Sequence, residues 1–433
     1  MAETKMLTRG QNSDGPSIAA RQAPRPRKSH NDYTVGWVCA LPKEQAAAIA
    51  MLDERHENLP NPPKSKDDNS YALGSIGLHN IVIACLPKGK VGIISAASVA
   101  MNMIRSFPSV KFSLMVGIGG GIPNKGKIRL GDVVVGTPTG QYPGVVQWDL
   151  GDATKDGFKR TGALNNPPNY LLTALSRLET EMELGGSRIP EYIDQMIAKF
   201  PRLRRYRRSE SMEDILFRSS YCHVDKSSTG LCEEAHGSNG DESASYVKKE
   251  EGGGGEEDEE DEENCQNCDK SKILKRKPRD MQVHYGLIAS GNQVIKDANF
   301  RDRLNKDFGG EVLCVEVEAA GLLHNFPCIV IRGICHYADS HKNKGWQEHA
   351  AAVAAAFAKE LLDYVPASDV EGVDPVKDAV QSVERIEAEV EWEQDQQSRL
   401  ISLGLDLVEK IILKSLNGSQ QPTTEINNYK LTT

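Results

Sequence analysis

Several side chains that could carry acid–base chemistry follow one apolar run near residue 330. The segment IRGICHYADSHKN (331–343) contains a thiol, two imidazoles, a phenol and a carboxylate. Imidazole and carboxylate groups exchange protons near neutral pH, so the pattern is typical of a general acid or base. The segment predicts a site at the end of a buried strand, where His336 is the side chain whose role needs an explanation.

Carboxylates in two other segments are candidates for the same site. Glu44 follows the first apolar strand. It is either a catalytic carboxylate or only a favourable charge at the start of a helix, whose dipole favours a negative charge there. Glu316 and Glu318 alternate along CVEVEAAG, which predicts that both lie on one face of an apolar strand. Buried carboxylates need partners, and either ribose hydroxyls or a structural arginine such as Arg332 would provide them.

The glycine-rich stretch VGIGGGIPNKG (116–126) indicates a close approach of a ligand or a structural turn. A dinucleotide fingerprint is excluded by the spacing, because Ile122 stands where the third glycine is expected and Pro123 follows instead of a helix. Glycines at the end of a central strand still allow a ligand to lie against the backbone.

A CxxC pair, CQNC (265–268), lies in a polar region that also contains other thiols and imidazoles. With Cys222, His223, Cys232 and His236 it could form a zinc site, although the spacings match no strong zinc pattern. The competing interpretation is a set of solvated thiols in a flexible insertion.

The bulk composition restricts the class of protein. The chain has 433 residues, 39% of them apolar, and a formal net charge of −9, which disfavours a general nucleic-acid binder. Nine cysteines, several in apolar runs, favour reduced thiols over a disulfide framework. We find no apolar run long enough to cross a membrane, and we expect a soluble, cytoplasmic protein.

Alternation of strand and helix patterns predicts an α/β protein with a three-layer α/β/α arrangement around a mixed, largely parallel sheet. Residues 1–30 have no apolar period and are expected to be disordered. Residues 31–365 form the predicted domain, and 205–281 form a low-complexity acidic insertion within it. Residues 366–433 are predicted to be a helical tail with a disordered end.

The predicted tail carries valines every seven residues, at Val376, Val383 and Val390. This spacing favours an amphipathic helix that serves docking or self-association. A helix folded back on its own domain fits the pattern equally well.

Four stretches together resemble the nucleoside phosphorylase/nucleosidase superfamily, in particular the methylthioadenosine/adenosylhomocysteine nucleosidase branch and the versions at the N-termini of fungal immune-receptor-like proteins. Their order and spacing carry the resemblance, which covers about 31–365 without the insertion. The stretches are VCALPKEQAAA, VGIGGGIPNKGKIRLGDVVVG, YGLIASGNQVIKD and VEVEAAGLLHNFPCIVIRGICHYADS.

The resemblance implies a role for each matching residue. Glu44 falls where the family activates water, and Glu318 falls where a glutamate holds the ribose hydroxyls, with Val317 packing on the sugar. The phosphate or nucleophilic-water site is implied at Gly117, Gly119, Gly120 and Gly121. The purine base is implied to lie along Gly291, Asn292, Val294 and Ile295.

Two departures from the family pattern bear on the reaction that the resemblance implies. Met115 stands about where phosphorylases place an arginine for phosphate, so hydrolysis is favoured over phosphorolysis. His336 stands where an aspartate normally protonates the purine at N7. His336 could act as the acid, the protein could be a binding-only relative, or it could be an inactivated enzyme; Asp339 lies too far along the chain to substitute.

The resemblance also implies the ligands and partners. We expect the ligand to be a purine nucleoside or nucleotide, including adenine nucleotides such as ATP. We expect no cofactor and no metal, and we expect the protein to self-associate into a homo-oligomer. A triphosphate would need cations at the mouth of the pocket, and the candidates are Lys88, Lys90, Lys125, Lys127, Lys342 and Lys344.

Overall fold

The computed structural model describes residues 28–60, 67–123, 127–155, 157–224, 265–324, 326–341, 344–378 and Lys410. The predictions for residues 1–27, for the acidic centre of the insertion and for most of the tail concern residues outside these ranges.

The strands form where β-branched and aromatic residues are dense, as the sequence predicts. Their bounds are β1 Val35–Cys39, β2 Glu54–Arg55, β3 Tyr71–Ile76, β4 His79–Cys85, β5 Phe112–Gly121, β6 Val133–Gly136, β7 Val145–Gln147, β8 Gly151–Thr154, β9 Gly157–Arg160, β10 Val283–Ser290, β11 Val312–Glu316 and β12 Cys328–His336. The predicted hairpin at 71–86 is confirmed as β3 and β4.

A 10-stranded sheet runs in the order β11-β10-β6-β12-β5-β1-β4-β3-β2, with β7 beside β10. Most of its pairings are parallel, so the predicted mixed and largely parallel sheet is confirmed. One pairing goes beyond the prediction: β11 also meets β5, through Val315 opposite Gly120. This contact closes β11, β10, β6, β12 and β5 into a ring.

Helices cover both faces of the sheet and complete the three layers. Their bounds are α1 Pro42–Met51, α2 Ile93–Ser106, α3 Asn169–Gly185, α4 Ile189–Lys199, α5 Ala298–Asp307, α6 Ala320–Leu323, α7 Gln347–Leu362 and α8 Ala367–Glu371. Helices α1, α3, α4 and α7 share one hydrophobic core with the sheet, whereas α2 and α6 share the other.

The flanks of the predicted insertion pack on the domain. Tyr206 is fully buried, and its hydroxyl donates to the carbonyl of Lys43 over 3.1 Å. Phe217 is buried and forms a β-bridge with Ile273 from the other flank. These apolar side chains distinguish the flanks from the acidic centre of the insertion, which has few groups that could form a core.

The start of the tail also contacts the domain. Val376 is buried, and its backbone N–H donates to the carbonyl of Val110 over 2.9 Å. For this first valine of the heptad pattern, the contact favours the alternative in which the tail folds back; Val383 and Val390 lie outside the described residues. Within the described part of the chain, no helix is long and apolar enough to cross a membrane.

Helix α7 lies unusually close to β12, and a glycine makes this possible. A Cβ added at Gly333 would lie 1.9 Å from the carbonyl oxygen of Ala350. The alanine-rich face of α7 therefore meets bare backbone, and this contact holds the strand that ends at His336.

We expect Gly333→Ala to reduce the free energy of unfolding by about 1–3 kcal/mol, because the added methyl must push helix backbone away. The matched control is Gly185→Ala at the end of α3, where an added Cβ meets nothing within 4 Å. The control should change stability by less than about 0.5 kcal/mol. Urea unfolding of both variants measures the difference, and equal stabilities would contradict the packing argument.

Candidate functional site

A cleft of about 180 Å³ opens at the carboxyl ends of β1, β5, β11 and β12. Ligands of open α/β sheets commonly bind at such strand ends. The residues that line it are Ala40, Leu41, Glu44, Val91, Ile118, Gly119, Gly120, Gln293, Val294, Ile295, Val315, Glu316, Val317, Glu318 and His336.

Backbone amides hold the Glu44 carboxylate at one side of the cleft. Pro42 begins α1, which places Glu44 in the first turn, and Oε2 accepts the N–H groups of Ala40 (2.7 Å) and Leu41 (2.9 Å). Oε1 accepts the N–H of Ile118 on β5 over 2.8 Å. Burial raises the pKa of Glu44, although Arg332 and these amides oppose the shift. A buried carboxylate of this kind is a stronger base than a solvated one.

The guanidinium of Arg332 lies beneath the cleft and is fully buried. Its Nη2 donates to Oε2 of Glu316 and lies 3.6 Å from Oε2 of Glu318. Burial disfavours the charged guanidinium, but Glu316, Glu318 and Glu44 outweigh it and hold the pKa of Arg332 above its ordinary value. Because one buried cation faces several carboxylates, the local charge is negative unless a carboxylate takes up a proton.

Gly117 leaves room for this ion cluster. A Cβ there would lie 2.5 Å from Nη1 of Arg332 and 2.5 Å from Oε1 of Glu44. Nη1 and Nε of Arg332 and Oε1 of Glu316 are buried without hydrogen-bond partners in the described structure. Unsatisfied polar atoms of this kind are costly and are typical of sites that hold water or a ligand.

Glu318 does not lie on a strand, contrary to the sequence prediction. Strand β11 ends at Glu316, whose Oε2 accepts the backbone N–H groups of Glu318 (3.1 Å) and Ala319 (2.9 Å). Because these two N–H groups bond to the Glu316 side chain, they do not continue the strand pairing of β11. The chain turns into α6 at this point. Glu318 still faces the cleft, and burial raises its pKa to about 7, with Arg332 opposing the shift and the neighbouring carboxylates adding to it.

His336 ends β12 at a register shift opposite Gly120. Its Nδ1 accepts the N–H of Ala338 over 2.9 Å, so the neutral ring carries its proton on Nε2. A Cβ at Gly120 would lie 2.7 Å from Cε1 of His336, so the glycine makes space for the ring. Ala338 has a φ of 51°, a left-handed conformation that turns the chain immediately after the site.

Most of the site residues predicted from the sequence come together in this cleft, but their roles stay predictions. Glu44, His336, Gly119, Gly120, Val294, Ile295, Val317 and Glu318 line it. Gly117 lies behind it against Arg332, and Gly121 packs on Ile334 and Ile128.

Other predicted residues lie apart from the lining. Gly291 lies against the indole of Trp148, and Asn292 donates to Asp149 through its backbone N–H (2.6 Å). Met115 is fully buried in the core. Asp339 is buried away from the lining and accepts the N–H of His341 over 3.0 Å.

The sequence prediction assigned no role in the cleft to several lining residues. Ile118, between two predicted glycines, and Leu41, three residues before Glu44, were missed because they differ from apolar core residues only in position. Glu316 was recognised as a buried carboxylate, and of the two partners considered for it, the structure selects Arg332.

Known proteins similar to this chain include an NLR-like protein of the fungus Hyaloscypha variabilis, named "Nucleotide-binding leucine-rich repeat (NLR)-like protein", which is 44% identical over 339 residues. This match covers 78% of the chain but 30% of the relative. A "Death domain-containing ATP nucleosidase" of Amphimedon queenslandica is 30% identical over 104 residues, which cover 22% of the chain and 19% of the relative. The chain thus spans less than a third of either relative. No protein-family model matches the chain.

The similarity to a protein named an ATP nucleosidase agrees with the resemblance to the nucleoside phosphorylase/nucleosidase superfamily. Solved structures similar to this chain include a futalosine hydrolase of Helicobacter pylori, with 17% identity, a TM-score of 0.45 and coverage of 77% of this chain and 99% of the other. A 5'-methylthioadenosine/S-adenosylhomocysteine nucleosidase of Neisseria meningitidis has 17% identity, a TM-score of 0.44 and coverage of 76% and 98%.

The raised pKa of Glu318 predicts a pH dependence of the stability of the folded domain. The folded carboxyl keeps its proton up to a pH of about 7, whereas its ordinary value is 4.5, so the folded state binds more protons in this window. Stability from this group is therefore fully present below about pH 4.5 and is lost as the pH rises through about 7.

Glu318→Gln stays neutral and removes this loss. The unfolding free energy of the variant relative to the wild type should increase between about pH 5 and pH 8, by an amount on the order of 2 kcal/mol. Glu311→Gln, at an exposed position, is the control and should give a difference that does not change with pH. Denaturant unfolding at several pH values measures both, and a flat difference for Glu318→Gln would contradict the burial effect.

Proposed function

We propose that the chain is a purine nucleoside or nucleotide N-ribohydrolase, which cleaves the N-glycosidic bond with water and releases the free base. The observation that carries the proposal is the convergence of Glu44, Glu318 and His336 on one small cleft. Hydrolysis through an oxocarbenium-like transition state requires a base for water, a hold on the ribose and a hydrogen-bond or proton donor at the purine.

Glu44 is the proposed base. Three backbone amides orient its carboxylate, and burial makes it more basic, which suits the abstraction of a proton from water. Gly119 and Gly120 leave bare backbone beside it, where a water molecule and the ribose can approach.

Glu318 is the proposed ribose ligand. Its carboxyl lies 3.6 Å from Nη2 of Arg332, so one guanidinium keeps both Glu316 and Glu318 in place. A pKa of about 7 allows it to bind the hydroxyls with less loss of hydration than a permanently charged group. Val317 beside it offers an apolar surface to the sugar.

His336 is the proposed donor to the base, and its hydrogen bonding limits its strength. The N–H of Ala338 occupies Nδ1, so the imidazolium form would bring two N–H groups together at 2.9 Å. The neutral ring can still donate from Nε2. We therefore expect a weaker stabilisation of the leaving purine than a carboxylic acid would provide.

Two features support a nucleotide as substrate. One is the similarity to a relative whose name includes ATP nucleosidase. The other is the position of Lys90, an exposed cation next to Val91 at the rim of the cleft. Lys127 lines a different cavity, and Lys125 and Lys342 lie outside the described residues. Phosphates would extend from the rim towards Lys90, because the described lining itself contains no lysine or arginine.

The same histidine favours a second candidate function, a nucleoside-binding signalling module without catalysis. The similarity to an NLR-like fungal protein supports a signalling role for either function. Self-association and a partner for the C-terminal segment remain part of the proposal, and light scattering of the full chain tests the first.

Base release from adenosine, methylthioadenosine, inosine and ATP, followed by chromatography with and without phosphate, separates the candidates. Free base without phosphate supports the hydrolase, and base only with phosphate supports a phosphorylase. Binding by calorimetry without base release supports the signalling module.

We expect Glu44→Gln to lower the rate of base release by about 10²–10⁴-fold, because the water loses its base. Both oxygens of Glu44 accept backbone N–H groups, so the amide nitrogen of the variant must face one of them. Thermal unfolding and substrate calorimetry therefore accompany the rate measurement, with Glu311→Gln as the control. Full activity in a folded Glu44→Gln protein would rule out the assigned role.

We expect His336→Asp to raise the rate of base release by about 10²-fold, since a carboxyl would supply a proton more readily than the neutral imidazole, whose N–H is a very weak acid. The control is His336→Asn, which has nearly the same shape as aspartate but no acidic proton and should show no gain. If neither variant releases base although both bind nucleoside, the position of residue 336 does not support proton donation.

A further inference from the structure

Two thiols and two imidazoles meet at the base of the acidic insertion, outside the cleft. One ligand atom from each of His223, Cys268 and His341 lies within 4.8 Å of the others. Nδ1 of His223 is 3.3 Å from Sγ of Cys268 and 3.6 Å from Sγ of Cys265. Three donors of a Cys2His2 centre are therefore mutually close, and the thiol of Cys265 next to His223 can provide the fourth.

These separations match tetrahedral zinc coordination. With Zn–S bonds of about 2.3 Å and Zn–N bonds of about 2.0 Å, sulfur and nitrogen ligands lie about 3.5 Å apart. The two sulfur–nitrogen distances of 3.3 and 3.6 Å at His223 bracket this value. The ligand atoms of His223, Cys268 and His341 are thus already as close as a shared metal ion requires, and Cys265 lies beside His223 as the nearest second thiol.

Local structure from both flanks of the insertion brings the thiols to His223. A 3-10 turn at Cys265–Asn267 places Cys268 beside Cys265, with the N–H of Cys268 on the carbonyl of Cys265 at 3.3 Å. The hydroxyl of Tyr221 accepts the N–H of Asp269 over 2.6 Å. The two flanks are therefore held together next to the CxxC pair.

The second imidazole, His341, comes from the loop that follows β12. Its ring stacks on Phe217 at a centroid distance of 4.0 Å and an angle of 17°, and Tyr221 lies beyond at 5.6 Å and 19°. Nε2 of His341 is buried and has no hydrogen-bond partner in the described structure. An orientated, desolvated imidazole with an unused nitrogen is typical of a metal ligand.

The structure changes the ligand set considered from the sequence. Cys222 is disulfide-bonded, and Cys232 and His236 lie outside the described residues. Cys265 and Cys268 are both free thiols, so the CxxC pair is available to a metal. His341 takes the place of His236 in the proposed ligand set. The sequence alone could not assign His341 to this set, because it lies far along the chain from the insertion.

We propose that Cys265, Cys268, His223 and His341 bind a structural zinc ion. Two thiolates and two imidazoles are the donors that zinc prefers in closed structural sites. The ion would join the base of the insertion to the loop that follows His336, where the N–H of His223 also donates to Ser340 over 3.0 Å. This role is independent of the proposed hydrolysis.

The experiment is metal analysis of the full chain, expressed with zinc in the medium, desalted and measured by inductively coupled plasma mass spectrometry. We expect about one zinc ion per chain in the wild type. Cys268→Ser and His341→Asn should each reduce this content at least about tenfold after dialysis against a weak chelator. The matched control is Cys85→Ser, which removes a half-buried thiol elsewhere in the domain. This variant should keep the zinc content of the wild type.

Cobalt substitution of the wild-type chain provides a test that does not depend on the folding of a variant. Tetrahedral cobalt with two thiolates should give strong visible bands and a thiolate charge-transfer band. Chelation should lower the thermal midpoint of the wild type but not that of Cys268→Ser. Less than about a tenth of a zinc per chain together with no tetrahedral cobalt spectrum, or unchanged zinc in Cys268→Ser, would overturn the proposal.

Discussion

The buried ion pair between Arg332 and Glu316 is the interaction on which the candidate site depends. A guanidinium without solvent exposure is tolerated only where carboxylates face it, and removal of one partner from such a pair costs about 3–5 kcal/mol. Arg332 comes from β12, and Glu316 ends β11. The pair therefore ties together two strands that are not neighbours along the main path of the sheet.

Glu44 and Glu318 derive their properties from the same cation. Both are buried, and in both the positive charge of Arg332 opposes the rise in pKa that burial causes. The charge of Arg332 thus keeps the pKa of both carboxyl groups lower than burial alone would make it. A cluster of one fixed charge and several carboxyl groups with raised pKa values is typical of functional sites.

Absence of side chains is as important to the cleft as the charged groups are. Gly117 provides space for Arg332 and Glu44, and Gly120 provides space for His336. The contact of β11 with β5 at Gly120 then brings the carboxylates next to the bare backbone. The glycine run is thus explained by close packing of its neighbours and not by a dinucleotide. Under the proposed function, His336 is the residue that would separate a hydrolase from a binding module, because its Nδ1 accepts the N–H of Ala338.

The sequence by itself determined the order of the strands and helices, because β-branched runs, the proline at the start of α1 and the alanine-rich α7 act through local conformational preference. It also located Glu44, Glu318, His336 and the glycines through the family pattern. Only the tertiary structure decided which partner satisfies Glu316, that β11 closes onto β5, that Glu318 leaves its strand, and that His341 meets His223 and Cys268. These features depend on contacts between residues far apart in the chain, and local preference carries no information about such contacts, because burial, ion pairing and metal-ligand geometry arise only when the folded layers come together.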